Sequence, residues 1–141
     1  MKPIEILIKT NGTVESATIE CDRRKMSLLF IMQNGFKKTY TASDLFICFG
    51  MLRAELPEIT FFCKGAKLNV HPSRMTSQMS SGLVAYELEL GTPSEEENIV
   101  RIFDYEDKNL TNNIKEQQTF YKRWVESLAP PTPGQPEKNC D

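Results

Sequence analysis

Two Asn-Gly dipeptides, each preceded by a run of strand-forming residues, constrain the fold of the first part of this chain. Asn and Gly both tolerate a positive φ, which makes this pair the strongest short signal for a β-hairpin. Asn11-Gly12 follows residues 4–8, where isoleucine recurs at every second position. Asn34-Gly35 follows an almost entirely apolar run at residues 26–32. The pattern predicts an antiparallel meander of three or four strands, with 26–32 as a central strand covered on both faces.

A helical period replaces the strand period after Ser43. Apolar residues then recur at the spacing of one helix face, at Leu45, Phe49, Leu52 and Leu56. Thr41 or Ser43 can cap the N-terminus of this helix, and the charge of Asp44 suits the positive end of its dipole. Pro57 disfavours a helical conformation at the preceding residue and therefore ends the element. We expect this face to pack on the meander and form the main core.

The remaining segments alternate between strand and helix patterns. Strands are predicted at 59–63, with Leu68 and Val70 continuing that strand, at 83–90 and at 99–105. A second helix is indicated by an apolar stripe at Leu110, Ile114, Tyr121, Val125 and Leu128, widened by Phe120 and Trp124. These elements favour an α+β fold in two layers, with one mostly antiparallel sheet and two main helices packed on one face.

One domain is expected to span residues 1–129. The segment 130–141 has four prolines among its first seven residues, a composition that excludes a helix or a central strand. We therefore predict a flexible Pro-rich tail, in which Cys140 is incidental.

The charge of the chain is small overall but unevenly distributed. A formal net charge of −2 argues against a strongly basic nucleic-acid binder, so no nucleic-acid partner is expected. Residues 1–70 contain ten Lys or Arg and seven Asp or Glu, a net charge of +3. Residues 71–141 contain seven and twelve, a net charge of −5. The second half is therefore complementary to a basic partner, although an acidic surface that is merely solvated gives the same pattern.

A cytoplasmic location is expected, without membrane contact. Glu5 interrupts the N-terminal apolar run, which therefore lacks the core of a signal peptide, and no apolar run is long enough to span a membrane. Cys21, Cys48, Cys63 and Cys140 are widely spaced, so they are expected to be reduced thiols. Structural zinc sites usually draw ligands in close pairs, which these cysteines and the single His71 do not form, so no metal or cofactor is expected.

The segment from Cys63 to Gly91, which we call the motif segment, joins two predicted strands through a Pro-, Ser- and Met-rich connection. Its notable residues are Cys63, Gly65, His71, Pro72, Ser73, Met75 and Met79. A nucleophilic Cys63 would need His71 as its base, so one hypothesis is a small enzyme or ligand-binding domain centred on these residues with Ser73 and Tyr86. The two methionines can form an apolar face for a partner or anchor the loop, and the second interpretation is favoured.

The order of residues in this segment resembles a group of small bacterial proteins. The matching pattern is Cys63-x-Gly65-Ala66, Val70-x-Pro72-Ser73-x-Met75, Met79, Gly82, Ala85-Tyr86-x-Leu88 and Gly91, followed by Val100-x-Ile102-Phe103-Asp104. His71 and Arg74 replace the Tyr and Gly that are usual in the group. Small stand-alone proteins of this kind often lie beside toxin genes, so the resemblance implies an immunity role.

The leading hypothesis is a non-enzymatic protein-binding module, specifically an immunity protein that neutralises a basic nuclease toxin. Acidic side chains would mimic the phosphates that such a nuclease expects. The candidates for this contact are Glu95, Glu96, Glu97, Asp104, Glu106 and Asp107. The alternatives are the enzyme or ligand-binding domain and a subunit of a larger assembly, and the sequence leaves the oligomeric state open.

Overall fold

A computed structural model describes residues 2–128 of the chain. Within this range the strands are β1 (Ile4–Thr10), β2 (Thr13–Asp22), β3 (Ser27–Met32), β4 (Lys37–Thr41), β5 (Thr60–Phe61), β6 (Val70–His71), β7 (Val84–Glu87) and β8 (Ile99–Arg101). The α-helices are α1 (Leu45–Glu55), α2 (Arg74–Ser80) and α3 (Ile114–Leu128). The predicted tail at 130–141, with Cys140, lies outside the described residues.

The first four strands form the predicted antiparallel meander. They belong to a curled five-stranded sheet in the order β4-β3-β2-β1-β5. Asn11 and Gly12 adopt the expected positive φ values of 51° and 79° at the first turn. The meander is therefore confirmed in its four-strand form, and β5 is added beside β1.

Strand β3 is central in the sheet but is covered on one face only. Leu28 and Phe30 are fully buried, whereas Leu29 and Ile31 on the other face are only partly covered. The prediction of a doubly covered strand is wrong, because α1 contacts β3 and β4 from the concave side of the sheet. The outer face has no described helix against it.

Helix α1 supplies most of the core from the concave side. Leu45, Phe49 and Leu52 are fully buried, as the helical period predicts. Asp44 caps the helix by accepting a hydrogen bond from the Ile47 backbone N–H at 2.8 Å, whereas Thr41 and Ser43 do not serve as the cap. The helix ends before Pro57 as predicted.

A second, three-stranded antiparallel sheet has the order β6-β7-β8. Residues 68–70 therefore do not continue β5, because a 3-10 helix at Lys64–Ala66 redirects the chain. The Gly65 backbone N–H donates to the Ile102 carbonyl oxygen at 2.7 Å, which places this turn against the second sheet. The predicted α+β class is confirmed, and the single sheet of the prediction is divided into two.

The two sheets meet around a buried polar pair, Arg53 on α1 and Gln117 on α3. Arg53 Nη2 donates to Gln117 Oε1 at 2.8 Å, and Arg53 Nη1 donates to the Thr111 carbonyl oxygen. Gln117 Nε2 donates in turn to the carbonyl oxygens of Gly65 and Lys67, each at 2.8 Å. Burial lowers the pKa of Arg53 to about 9, which leaves the guanidinium charged at neutral pH. The pair joins both helices to the connection between the sheets.

The buried side of α3 differs from the predicted apolar stripe. Gln117 is fully buried, and Trp124 is the other buried residue of the helix. Val125, a predicted member of the stripe, is 46% exposed. The prediction for Val125 is wrong because the side of α3 that faces the protein is the one that carries Gln117 and Trp124.

Gln117→Leu is expected to lower the free energy of unfolding by about 2–4 kcal/mol, because it leaves a buried guanidinium and two backbone carbonyls short of partners. Arg53→Met/Gln117→Leu should cost less than the sum of the two single changes, since it removes both members of the pair. Urea denaturation measures all of these values. Gln118→Leu, on the exposed neighbour, is the control and should change the free energy by less than about 0.5 kcal/mol. Equal effects of the changes at 117 and 118 would contradict this role.

Candidate functional site

His71 lines a cleft of about 490 Å³ bounded by the N-terminal end of α1, the start of α2 and the middle of α3. The other lining residues are Asp44, Phe46, Ile47, Pro72, Ser73, Arg74, Ser77, Gln78, Gln118 and Tyr121. His71 ends β6, and Ser73 caps α2 by accepting a hydrogen bond from the Thr76 backbone N–H at 3.1 Å. Three consecutive residues of the motif segment, His71, Pro72 and Ser73, therefore line this cleft.

Aromatic contacts and one backbone oxygen fix the imidazole ring of His71. The ring stacks on Tyr121 with a centroid distance of 4.3 Å and meets the Phe46 ring edge-on at 5.2 Å. Nδ1 lies 2.7 Å from the Pro72 carbonyl oxygen, which can only accept, so Nδ1 carries the proton of the neutral ring. Burial lowers the pKa of His71, while the Pro72 carbonyl and the charge of Asp44 oppose the shift. At neutral pH the remaining nitrogen, Nε2, is an acceptor.

The carboxylate of Asp44 serves structural roles in this cleft. One oxygen accepts the capping hydrogen bond of α1, and the other accepts from Ser77 Oγ at 2.5 Å. Gly82 allows this arrangement, because its φ is +82° and a Cβ there would lie 2.9 Å from the Asp44 carboxyl carbon. Asp44 therefore ties α1 to α2 and does not orient His71 for proton transfer.

Cys63 lies in the main core and not among the residues that line the cleft. Its side chain is fully buried beside Phe61 and Ala66. Burial raises the pKa of the Cys63 thiol to about 12, with Arg53 opposing the shift and Asp104 adding to it. A thiol with this pKa is not a nucleophile at neutral pH. The geometry therefore argues against the Cys63/His71 pair.

Tyr86, another predicted member of that centre, has a structural position. Tyr86 lies opposite His71 in the β6–β7 pair, and no side-chain hydrogen bond joins the two within residues 2–128. Gly65, a notable residue of the motif segment outside that centre, is required because there is no space for a side chain. A Cβ at this position would lie 2.7 Å from Ile102 Cβ.

The methionines of the motif segment point to solvent. Met75 and Met79 lie on α2 and are 65% and 73% exposed. The favoured interpretation, in which they anchor the loop, is wrong. Hydrogen bonds hold α2 instead: the Arg23 side chain donates to the Met79 carbonyl oxygen at 2.8 Å and to Ser81 Oγ at 3.0 Å.

Among the predicted acidic contacts, Glu106 is already neutralised within the protein. Its carboxylate lies 3.3 Å from Lys64 Nζ and 3.2 Å from Lys67 Nζ, and its side chain is only 11% exposed. Burial would raise the pKa of Glu106, but hydrogen bonds from the Lys108 backbone and the two lysines lower it to about 2. Asp104 and Asp107 remain exposed. We therefore exclude Glu106 from the candidate contact surface.

Glu95, Glu96 and Glu97 are exposed at one end of the second sheet. The Glu95 backbone N–H donates to Asn98 Oδ1 at 2.8 Å, so the short 3-10 helix that carries them is held in place. Glu97 also lines a concavity of about 310 Å³ together with Glu87 and Glu89. Glu87 is already paired with Lys67, whose Nζ lies 2.6 Å from its carboxylate. We therefore call Glu89, Glu95, Glu96 and Glu97 the acidic surface.

One member of the acidic surface, Glu89, is not among the predicted contact residues. Glu89 alternates with apolar residues in the predicted strand 83–90, and this alternation is the available signal for its exposure. No sequence pattern indicates that this strand lies beside residues 95–97. The same holds for Asp44 and Tyr121, which reach the His71 cleft from distant positions in the chain.

No protein-family model matches the chain, and a comparison with curated proteins found no match. Within residues 2–128, no group of three or more His, Cys, Asp or Glu side chains is arranged to hold a metal ion. No helix in the same range is long and apolar enough to cross a membrane.

Cys63 should resist alkylation in the folded protein at neutral pH. A rise in pKa from the ordinary range to about 12 reduces the thiolate fraction by roughly three orders of magnitude, and burial also blocks access. Peptide mapping by mass spectrometry after a timed iodoacetamide pulse measures the rate. The same pulse in denaturant is the control, and a native rate equal to the denatured one would contradict the buried placement.

Glu106→Gln should destabilise the protein at neutral pH by about 1–3 kcal/mol, because the depressed pKa reports preferential stabilisation of the ionised carboxylate in the fold. This stabilisation is present above the unfolded pKa of a glutamate and is lost as the pH falls toward about 2. The difference in free energy of unfolding between wild type and variant, measured by denaturant melts, should therefore shrink as the pH falls from about 5 to about 2. Glu96→Gln, on an exposed residue, is the control, and a difference independent of pH would contradict the assignment.

Proposed function

We propose that this chain is a non-enzymatic protein-binding module that neutralises a basic protein, and that the acidic surface is its contact face. The observation that carries the proposal is the exposure of Glu95, Glu96 and Glu97 beside the concavity that Glu97 shares with Glu87 and Glu89. Carboxylates grouped in this way produce a local negative potential, which raises the rate at which a basic partner associates.

Apolar side chains accompany the carboxylates. Leu90 and Ile99 are each large, exposed residues next to the acidic surface in the chain. Ile99 pairs with Tyr86 across the second sheet, so its backbone position is fixed. Protein interfaces commonly combine an apolar centre with a charged rim, where the apolar part supplies affinity and the charges supply selectivity. This composition supports a protein partner over a simple counterion.

A basic nuclease toxin is the partner class that we favour. Such an enzyme binds phosphates, and a face of carboxylates competes for the same cationic side chains. The resemblance of the motif segment to small bacterial proteins, which often lie beside toxin genes, is consistent with an immunity role. The burial of Cys63, which raises the pKa of its thiol to about 12, is consistent with a role that needs no catalysis.

A ligand-binding domain centred on the His71 cleft is the second candidate. The cleft volume of about 490 Å³ and the stack of His71 on Tyr121 favour it. A neutral imidazole with an acceptor at Nε2 is suited to a ligand that donates a hydrogen bond. His71→Phe keeps an aromatic ring against Tyr121 but removes both nitrogens, and it therefore separates the two candidates.

Charge reversal at Glu95, Glu96 and Glu97 to Lys should slow association with a basic nuclease toxin by about tenfold at low salt and flatten the salt dependence. Stopped-flow kinetics measures the rate, and co-expression with the toxin measures protection of the host. Glu5→Lys/Glu20→Lys, on the outer face of the first sheet, changes charge in the same direction and is the control.

Unchanged kinetics in the triple variant would contradict the electrostatic contact. Failure of the wild-type chain to protect against that toxin would contradict the immunity role. Loss of protection in His71→Phe, with full protection by the triple variant, would transfer the function to the His71 cleft.

A further inference from the structure

A second cleft lies at the open end of the curled first sheet, far along the chain from the acidic surface. Its volume is about 310 Å³, and it lies between the β1–β2 turn, the β3–β4 turn and the segment after α1. This volume is at the low end for ligand sites, so it suits one side chain or a fragment of similar size.

Apolar side chains line much of this cleft. They are Met32, Phe36, Leu56 and Ile59. Phe36 is 39% exposed, and its ring meets the buried Phe30 ring edge-on with a centroid distance of 6.3 Å. The aromatic ring is therefore held at the cleft while part of it remains open to a ligand.

Every charged residue that lines the cleft is acidic. These residues are Glu15 and Glu58, and no Lys or Arg is among the lining residues. Glu15 accepts a hydrogen bond from Thr10 Oγ1 at 3.1 Å through one oxygen only. Within residues 2–128, Glu58 forms no ion pair. The negative charge is notable because residues 1–70 carry a net charge of +3.

We propose that this cleft binds the side chain of an arginine presented by a polypeptide partner. The aliphatic part of the side chain packs on Met32 and Leu56, and the guanidinium lies near the carboxylates of Glu15 and Glu58. The ring of Phe36 adds a cation–π contact. Arginine is favoured over lysine because its guanidinium is planar, more weakly hydrated and able to bond two carboxylates at once.

This inference rests on the proposed function in one respect, which is that the partner is a basic protein. It adds a second contact site, which lies in the first half of the chain, whereas the acidic surface lies in the second half. The occupant is an arginine within a polypeptide, because the proposed partner is a basic protein and the cleft volume of about 310 Å³ suits a single side chain.

The test is a titration of the full chain, labelled with ¹⁵N, with the blocked peptide acetyl-Ala-Arg-Ala-amide. Saturable NMR shifts are expected at the amides of Thr10, Asn11, Phe36 and Ile59. A peptide with citrulline in place of arginine has nearly the same shape without the charge, and it should bind at least about fivefold more weakly. Glu15→Gln/Glu58→Gln should weaken the arginine peptide by a similar factor, since both residues are partly or fully exposed and the change preserves their size.

Glu95→Gln/Glu96→Gln removes the same charge from the acidic surface and is the matched control, with no expected effect on the peptide. Shifts that do not saturate, or equal binding of the arginine and citrulline peptides, would overturn the proposal. Wild-type affinity of the Glu15→Gln/Glu58→Gln variant for the arginine peptide would overturn it as well. Binding of free arginine as tight as that of the arginine peptide would overturn the assignment to a polypeptide. Because the titration uses no toxin, its failure is distinguishable from a failure of the acidic surface in stopped-flow kinetics.

Discussion

The buried hydrogen bond between Arg53 and Gln117 is the interaction on which the arrangement of the two sheets depends. Apolar contacts between α1 and the first sheet would form without it, because that core is built mainly from isoleucine, leucine and phenylalanine side chains. The amide of Gln117 contacts the carbonyl oxygens of Gly65 and Lys67, which lie on the connection between the sheets. A charged guanidinium inside a protein is costly unless its donors are satisfied. The position of α3 provides acceptors for Nη1 and Nη2 of Arg53, whereas Nε is buried without a partner among the described residues.

That position of α3 also defines the His71 cleft. Tyr121 lies one turn beyond Gln117 on α3, and its ring forms the surface on which His71 stacks. The ring of Tyr121 is in turn stacked near Trp124, whose indole N–H donates to the Thr92 carbonyl oxygen at 2.9 Å. One helix therefore connects the core pair, the aromatic cleft and the Thr92 loop, which lies between Glu89 and Glu95 of the acidic surface.

The elements that depend on local sequence were predictable, whereas those that depend on distant contacts were not. The Asn-Gly turns, α1 and its end before Pro57 follow from conformational preferences of a few residues, and the structure confirms them. The division into two sheets depends on the close approach of Gly65 to Ile102, which are 37 positions apart in the sequence. The burial of Gln117 depends on Arg53 in the same way. The short helix α2 buries none of its residues, so its sequence lacks the apolar stripe from which a helix is predicted.

The candidate site shows the same limit. Exposure of Glu95, Glu96 and Glu97 followed from their position in a polar turn, but the neutralisation of Glu106 required knowledge that Lys64 and Lys67 lie beside it. The four-strand meander has a further consequence for synthesis of the chain. Its strands pair with their neighbours in sequence, so this sheet can form while the remainder is still being translated. The guanidinium of Arg53 acquires its partners only when Thr111 and Gln117 emerge from the ribosome, about sixty residues later. Arg53 therefore keeps its hydration through most of translation, and the arrival of α3 is the step that closes the core.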